Sequence, residues 1–265
     1  MSRIAKMFDE LRRKKEKALI AYITAGDPDM ATTEQLLKCL VESGTDMIEP
    51  GVPFSDPMAD GPTIQAASQR ALEHPFSIQA ILGLVKNFRT YSQAPLILFG
   101  YYNPLLQYGL ERLARDAREA GVDGFLVVDL PPEEAADLKK AADAQQLDMI
   151  FLLAPTSTDE RIRKVTDVSS GFVYYVSITG VTGARESLAD MMEVSVNKIR
   201  KFTDLPVGIG FGVSRPEHVR EIARFADAVI VGSAIIKQVE AHAGKPDMLA
   251  KVGFFVRQFK EATCL

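Results

Sequence analysis

The sequence predicts an α/β protein: a closed barrel of eight parallel strands with a helix after each, written (β/α)8. Three observations carry this reading. Short, β-rich apolar runs recur eight times along the chain, and helical stretches with capping signals separate them. Most of the runs are continuously apolar rather than alternating, as strands buried on both faces must be. Strict alternation of strand and helix implies parallel pairing through right-handed crossovers, and eight units in roughly 250 residues fit a closed barrel. A doubly wound open sheet is the competing architecture. It calls for a glycine-rich turn after the first strand, and the turn here is Ala25-Gly26-Asp27-Pro28, with no suitable G-x-G-x-x-G anywhere.

The elements follow in order. Met7, Phe8 and Leu11 stand at helical spacing, and the basic run Arg12-Arg13-Lys14-Lys15 alternates with Glu10 and Glu16. This reads as the wet face of an N-terminal helix rather than a targeting signal. Strand one is placed at 18–23 and is followed by a helix at 30–43, whose Leu36, Leu37, Leu40 and Val41 form one apolar stripe. Strand two at 46–49 leads into a proline-rich loop and helices at 63–72 and 77–91. Strands three to five, at 96–99, 124–128 and 149–153, are followed by helices at 110–120, 132–145 and 159–168. Strands six to eight, at 172–176, 207–209 and 228–231, are followed by helices at 190–202, 216–225 and 233–241. A C-terminal helix at 246–262 ends the chain. No linker, low-complexity tract or second composition zone interrupts it, so residues 1–265 are expected to form one domain.

Composition narrows the function. Hydrophobic residues make up 47% and charged residues 25%, ordinary for a globular enzyme, and the net charge of −4 argues against a nucleic-acid surface. No apolar run is long enough to span a membrane. Cys39 lies among helix-core leucines, Cys264 is close to the end of the sequence, and the two have no paired spacing. A reducing cytoplasm is the natural compartment. The three histidines, His74, His218 and His242, form no ligand cluster, so no metal is expected.

Residues 49–62, E-P-G-V-P-F-S-D-P-M-A-D-G-P, concentrate four of the fourteen prolines and three carboxylates, Glu49, Asp56 and Asp60. Each proline fixes its own φ and restrains the residue before it, so the loop can hold acids at defined points. A solvated Pro-rich crossover would look similar. In a barrel, however, function collects at the strand C-termini, which puts Glu49 at the mouth and Asp60 on the outgoing loop above it. Pairs of carboxylates in differing surroundings suit proton transfer.

Three later strand ends are rich in glycine: Gly180-Val181-Thr182-Gly183, Gly208-Ile209-Gly210-Phe211-Gly212 and Gly232-Ser233. Glycine lets backbone amides approach an anion, and a helix N-terminus adds donors and a favourable dipole. Ser233 is read as the N-cap of its helix. Glycine also makes turns, but successive motifs at barrel strand ends point to a phosphate grip. No Lys or Arg lies inside the motifs from Gly210 to Ser233, so the grip rests on amides and on the hydroxyls of Thr182 and Ser233. Phe211 would wall the ligand.

Together these residues resemble the tryptophan synthase α-subunit family. The most specific part is Pro53-Phe54-Ser55-Asp56-Pro57-Met58-Ala59-Asp60-Gly61-Pro62-Thr63-Ile64-Gln65. Ala21 to Pro28, Tyr101-Tyr102-Asn103-Pro104, Asp129-Leu130-Pro131, Ala154-Pro155-Thr156, Ser177 to Arg185 and Val231 to Ile235 also fit its order and spacing. The resemblance implies a TIM barrel with additional N-terminal and loop helices. The implied reaction is retro-aldol cleavage of indole-3-glycerol phosphate to indole and glyceraldehyde 3-phosphate. Glu49 would shuttle protons, Asp60 would accept the indole N–H, and Tyr174 would assist. Tyr22, Phe99, Leu126, Leu152 and Phe211 would line the indole pocket and mouth. Thr182, Gly183, Gly210, Gly212, Gly232 and Ser233 would hold the phosphate. The resemblance further implies a pyridoxal-phosphate β subunit in an α2β2 heterotetramer, docked through Asp56, Asn103 and Pro104, with no cofactor in this chain. A stand-alone lyase and a non-catalytic phosphosugar-binding subunit are the alternatives; the presence of both acids weighs against the latter. Where the family usually carries an aliphatic residue after its glutamate, this chain has Pro50, read as the end of strand two.

Overall fold

The computed structural model describes residues 1–177, 188–210 and 212–264. Nine parallel strands form one sheet: β1 (Ala18–Thr24), β2 (Met47–Gly51), β3 (Ile97–Gly100), β4 (Gly124–Val127), β5 (Asp148–Ile150), β6 (Leu152–Leu153), β7 (Val173–Val176), β8 (Val207–Gly210) and β9 (Ala228–Val231). Their order is β5-β4-β3-β2-β1-β9-β8-β7-β6. The two ends of that order, β5 and β6, are pieces of one extended run parted by Phe151 alone. The ring therefore closes through the run expected as strand five, and the eight expected strands are all present as seven whole ones and one in two parts. At the break Phe151 still accepts a hydrogen bond from the amide of Tyr174, at 3.1 Å.

The helices are α1 (Arg3–Lys14), α2 (Met30–Glu42), α3 (Pro62–Leu72), α4 (Ile78–Phe88), α5 (Tyr102–Tyr108), α6 (Leu110–Ala120), α7 (Ala136–Ala144), α8 (Asp159–Val168), α9 (Leu188–Ile199), α10 (Pro216–Ala223), α11 (Ser233–His242) and α12 (Met248–Glu261). Local chemistry sets several of their starts. The side chains of Ser2, Asp29, Ser77 and Thr158 accept from backbone amides of the first turns of α1, α2, α4 and α8. Pro62 and Pro216 open α3 and α10, where a missing N–H costs nothing. The short α5 falls between the expected strand three and the helix at 110–120, where the sequence reading placed no element. Its Pro104 sits in the first turn, where proline is tolerated, so it starts a helix instead of preventing one.

Two buried layers result. Outward strand residues such as Leu19, Ile48, Leu98 and Phe125 pack under the helices. Inside the barrel, Ile20, Met47, Ile97, Leu126, Ile150 and Phe172 join Ile4, Phe8 and Leu11 of α1, which plugs the end where the strands begin. Phe8 and Phe172 lie with ring centroids 6.0 Å apart. At the same end Asp123, just before β4, accepts from Arg3 (3.0 Å), Arg89 (2.6 Å) and the Leu96 amide (2.8 Å). With that end filled, open space inside the barrel is left at the strand C-termini.

Candidate active site

A cavity of about 430 Å³ opens at those C-termini. Tyr22, Glu49, Phe99 and Tyr174 line it from four strands, with Ile230 as part of its floor. Parallel register sets Tyr22 on β1 directly beside Glu49 on β2. Tyr22 meets Phe99 edge-on, centroids 5.0 Å apart, and its hydroxyl lies 3.4 Å from Thr24 Oγ1. The hydroxyl passes over Gly51, where any Cβ would collide with it. Gly210 serves Tyr174 in the same way: a Cβ there would collide with the Tyr174 phenol. Leu126 and Leu152 belong to the inner core instead and do not line the cavity.

Glu49 is 0% exposed, and neither of its carboxylate oxygens has a hydrogen-bond partner among the described residues. Burial alone pushes its pKa up to about 8. A carboxyl in such surroundings keeps its proton at neutral pH and can donate it. Pro50 does not end the strand: β2 continues through Gly51. The amides of Ile48 and Val52 donate to Pro95 and Phe99 on the β3 side, so Pro50 faces β3 and removes one rung from that ladder. Glu49 has the opposite backbone phase and pairs with β1. The missing rung is therefore not its own, and its aim is kept.

Asp60 does not itself border the cavity but stands just before Gly61 and Pro62, which do. Its Oδ2 accepts from the Tyr101 hydroxyl at 3.0 Å, and that hydroxyl accepts from the Ala59 amide at 2.9 Å. Gln65 Nε2 donates to the Asp60 carbonyl at 2.8 Å. Burial raises the Asp60 pKa to about 6, and the Tyr101 hydrogen bond opposes the rise. Tyr101 is thus a site residue that the sequence reading missed. Its link to Asp60 spans 41 residues and leaves no local signal. Burial, and then the charge of Asp60, hold the Tyr22 phenol well above its ordinary pKa. The Tyr174 phenol is raised by burial and by the nearby Glu49, Tyr22 and Asp60. These four groups share one electrostatic neighbourhood, although they come from three strands and a loop.

Across the mouth lie Gly212, Gly232 and Ser233, joined by Val213 and Ser214, which the sequence reading did not single out. Gly212 has a φ of 73°, a conformation that favours glycine. The N-cap of α11 is Gly232, and Ser233 is the first helical residue, a correction of one position. The Ile235 and Ile236 amides already turn back onto the Gly232 carbonyl, so the Ser233 and Ala234 amides form the open end of the helix. Thr182, Gly183 and Phe211 lie outside the described residues.

Asp56 is exposed, with Ser55 Oγ 2.5 Å from its Oδ2, and it does not border the cavity. Its loop is pinned to the barrel rim by Phe54, whose ring lies 5.2 Å from that of Tyr101. Met58 in the same loop is 86% exposed. Asn103 and Pro104 occupy the first turn of α5 rather than a loop, with Asn103 exposed and Pro104 half-buried. Among the described residues, no group of three or more His, Cys, Asp or Glu could hold a metal ion.

Comparison with known proteins agrees with this geometry. The family model "Tryptophan synthase alpha chain" matches residues 8–264. The tryptophan synthase alpha chain of Geotalea uraniireducens is 55% identical over 260 residues, covering 98% of this chain and 97% of that one. That of Geobacter sulfurreducens is 53% identical over 262 residues, with 99% of each covered. The crystal structure of the alpha subunit from Legionella pneumophila superposes with a TM-score of 0.92 at 39% identity, over 99% of this chain and 98% of that one. An open form of tryptophan synthase from M. tuberculosis gives 0.90 at 34% identity, with 100% of each chain covered. The chain belongs to the tryptophan synthase alpha chain family.

Proposed function

We propose that this chain is a lyase that cleaves indole-3-glycerol phosphate to indole and glyceraldehyde 3-phosphate in tryptophan biosynthesis. One observation carries the mechanism: two acids sit in unlike surroundings at one site, Glu49 fully buried with neither carboxylate oxygen hydrogen-bonded among the described residues, and Asp60 less buried and held by the Tyr101 hydroxyl. Glu49, with its pKa near 8, is mainly protonated, while Asp60, near 6, is mainly ionised. Protonated Glu49 gives its proton to C3 of the indole ring. Positive charge then develops across the ring toward its nitrogen, where ionised Asp60 accepts the N–H and stabilises it. Glu49, now a carboxylate, takes the proton of the glycerol hydroxyl beside the breaking bond. The C–C bonding electrons return to the ring and release indole, the hydroxyl carbon leaves as an aldehyde, and Glu49 ends protonated as it began. Tyr174, buried beside both acids, assists this transfer. Tyr22 and Phe99 give the indole aromatic walls.

The phosphate reading rests on the open end of α11 and on Gly210, Gly212, Gly232 and Ser233, with Thr182, Gly183 and Phe211 completing the grip. The rim formed by the 52–61 loop and α5 offers Asp56, Asn103 and Pro104 to a β subunit in an α2β2 assembly. Pyridoxal phosphate belongs to that partner, and this chain uses no cofactor of its own. Family membership and two free cysteines support a place in the cytoplasm. The test is indole release from indole-3-glycerol phosphate by the purified chain, alone and with a β subunit. No indole under either condition would refute the proposal.

A further inference from the structure

The glycine-rich grip contains no cation, yet a phosphate monoester brings close to two negative charges at neutral pH. Among the described residues one cation lines the cavity: Lys237, on α11. It stands four residues after Ser233, so the two share a face of the helix. Side chains on an α-helix lean back toward its N-terminus, which carries the lysine stem over the turn that begins at Ser233. Lys237 is exposed and makes no ion pair or hydrogen bond among the described residues, whereas Lys198 and Lys260 are both paired with carboxylates. Its neighbour Glu240 is engaged elsewhere, accepting from Arg70 at 2.9 Å. Among the described residues, this lysine beside the cavity is therefore left without a carboxylate to neutralise it.

We infer that Lys237 is a substrate-binding residue whose ammonium group neutralises the phosphate of the phosphosugar held at the start of α11. This deepens the proposed function and rests on it. The Ser233 and Ala234 amides and the glycine backbone supply directional hydrogen bonds, while the lysine supplies net charge from one turn away. Because the amine is solvent-exposed, its contribution is modest and sensitive to salt. It acts on an anion that the reaction leaves unchanged, so it favours substrate and transition state alike and its loss falls on KM.

The test is binding of glycerol 3-phosphate by calorimetry at low and high ionic strength, together with steady-state cleavage of indole-3-glycerol phosphate. Lys237→Gln should weaken glycerol 3-phosphate binding about five-fold at low salt and flatten the salt dependence, with a matching rise in KM, and Lys237→Arg should restore most of both. Equal affinity and an equal salt dependence in wild type and Lys237→Gln would overturn the role of Lys237 while leaving the phosphosugar reading intact. Failure of the wild type itself to bind glycerol 3-phosphate would overturn both. A loss confined to kcat would also count against the inference, since a charge on the spectator phosphate has no reason to act there.

Discussion

Tyr101→Phe isolates the tuning of Asp60. The substitution keeps the ring that packs on Phe54 and removes only the hydroxyl that donates to Asp60 Oδ2 at 3.0 Å and accepts from Ala59. A hydrogen bond to a charged acceptor contributes about 1.5–3 kcal/mol, equivalent to about 1–2 pK units. In the wild type burial raises the Asp60 pKa and that bond holds the rise back, leaving it at about 6. Without it, the Asp60 pKa should climb to about 7–8. Less Asp60 would then be ionised at neutral pH, and the acidic limb of the rate profile would move upward by the same amount. The assay is kcat/KM for indole release across pH 5 to 9, wild type against variant. The substrate phosphate titrates near 6 too, but it is common to both enzymes, so only the difference between them counts. An acidic limb that stays in place or moves downward would refute the assignment of Asp60 as the ionised partner.

Three further outcomes are expected. Glu49→Gln should abolish turnover and also change stability with pH. Because the folded pKa of Glu49 is raised from 4.5 to about 8, its contribution is fully present below about 4.5 and is lost as pH rises through about 8. The variant should therefore gain in melting temperature over wild type from pH 5 to 9, by on the order of 4 kcal/mol of stability in all, and a constant difference would count against a buried acid. Gly210→Ala should cost about 1–3 kcal/mol in urea unfolding through its clash with the Tyr174 phenol. Tyr174→Leu should suppress that cost in a double-mutant cycle, and strict additivity would show the clash to be absent. Asp123→Ala should cost about 3 kcal/mol, because it leaves the largely buried Arg89 guanidinium without its carboxylate, yet leave the pH–rate profile unmoved. A shifted profile would contradict a purely structural role at the plugged end.

Much of this architecture was legible because parallel strands buried on both faces leave continuous apolar runs. What the sequence blurred was finer. The run around Phe151 contains a break in pairing that hydrophobicity does not mark. A carboxylate followed by proline looks like a strand end at Glu49, whereas backbone phase lets Pro50 lie within the ladder. Asn103 and Pro104 fall between the expected strand three and the helix at 110–120, and a proline in a first turn leaves no sign in the sequence that a helix starts there. In the site, Glu49 and Asp60 were visible in a stiff segment, but their pKa values come from burial and from Tyr101, and both depend on tertiary structure. Gly51 and Gly210 make room for tyrosines distant in sequence, and that packing leaves no local mark. Lys237 escaped notice because it lies one helical turn beyond the glycine motif whose charge it completes.

The central claim is that a buried Glu49 holds its proton at neutral pH and so can begin the reaction as an acid. The most direct measurement is a carboxyl ¹³C NMR titration of the glutamate-labelled chain, with Glu49→Gln identifying the signal. The account predicts a midpoint near 8. A midpoint at the ordinary value near 4.5 would contradict it.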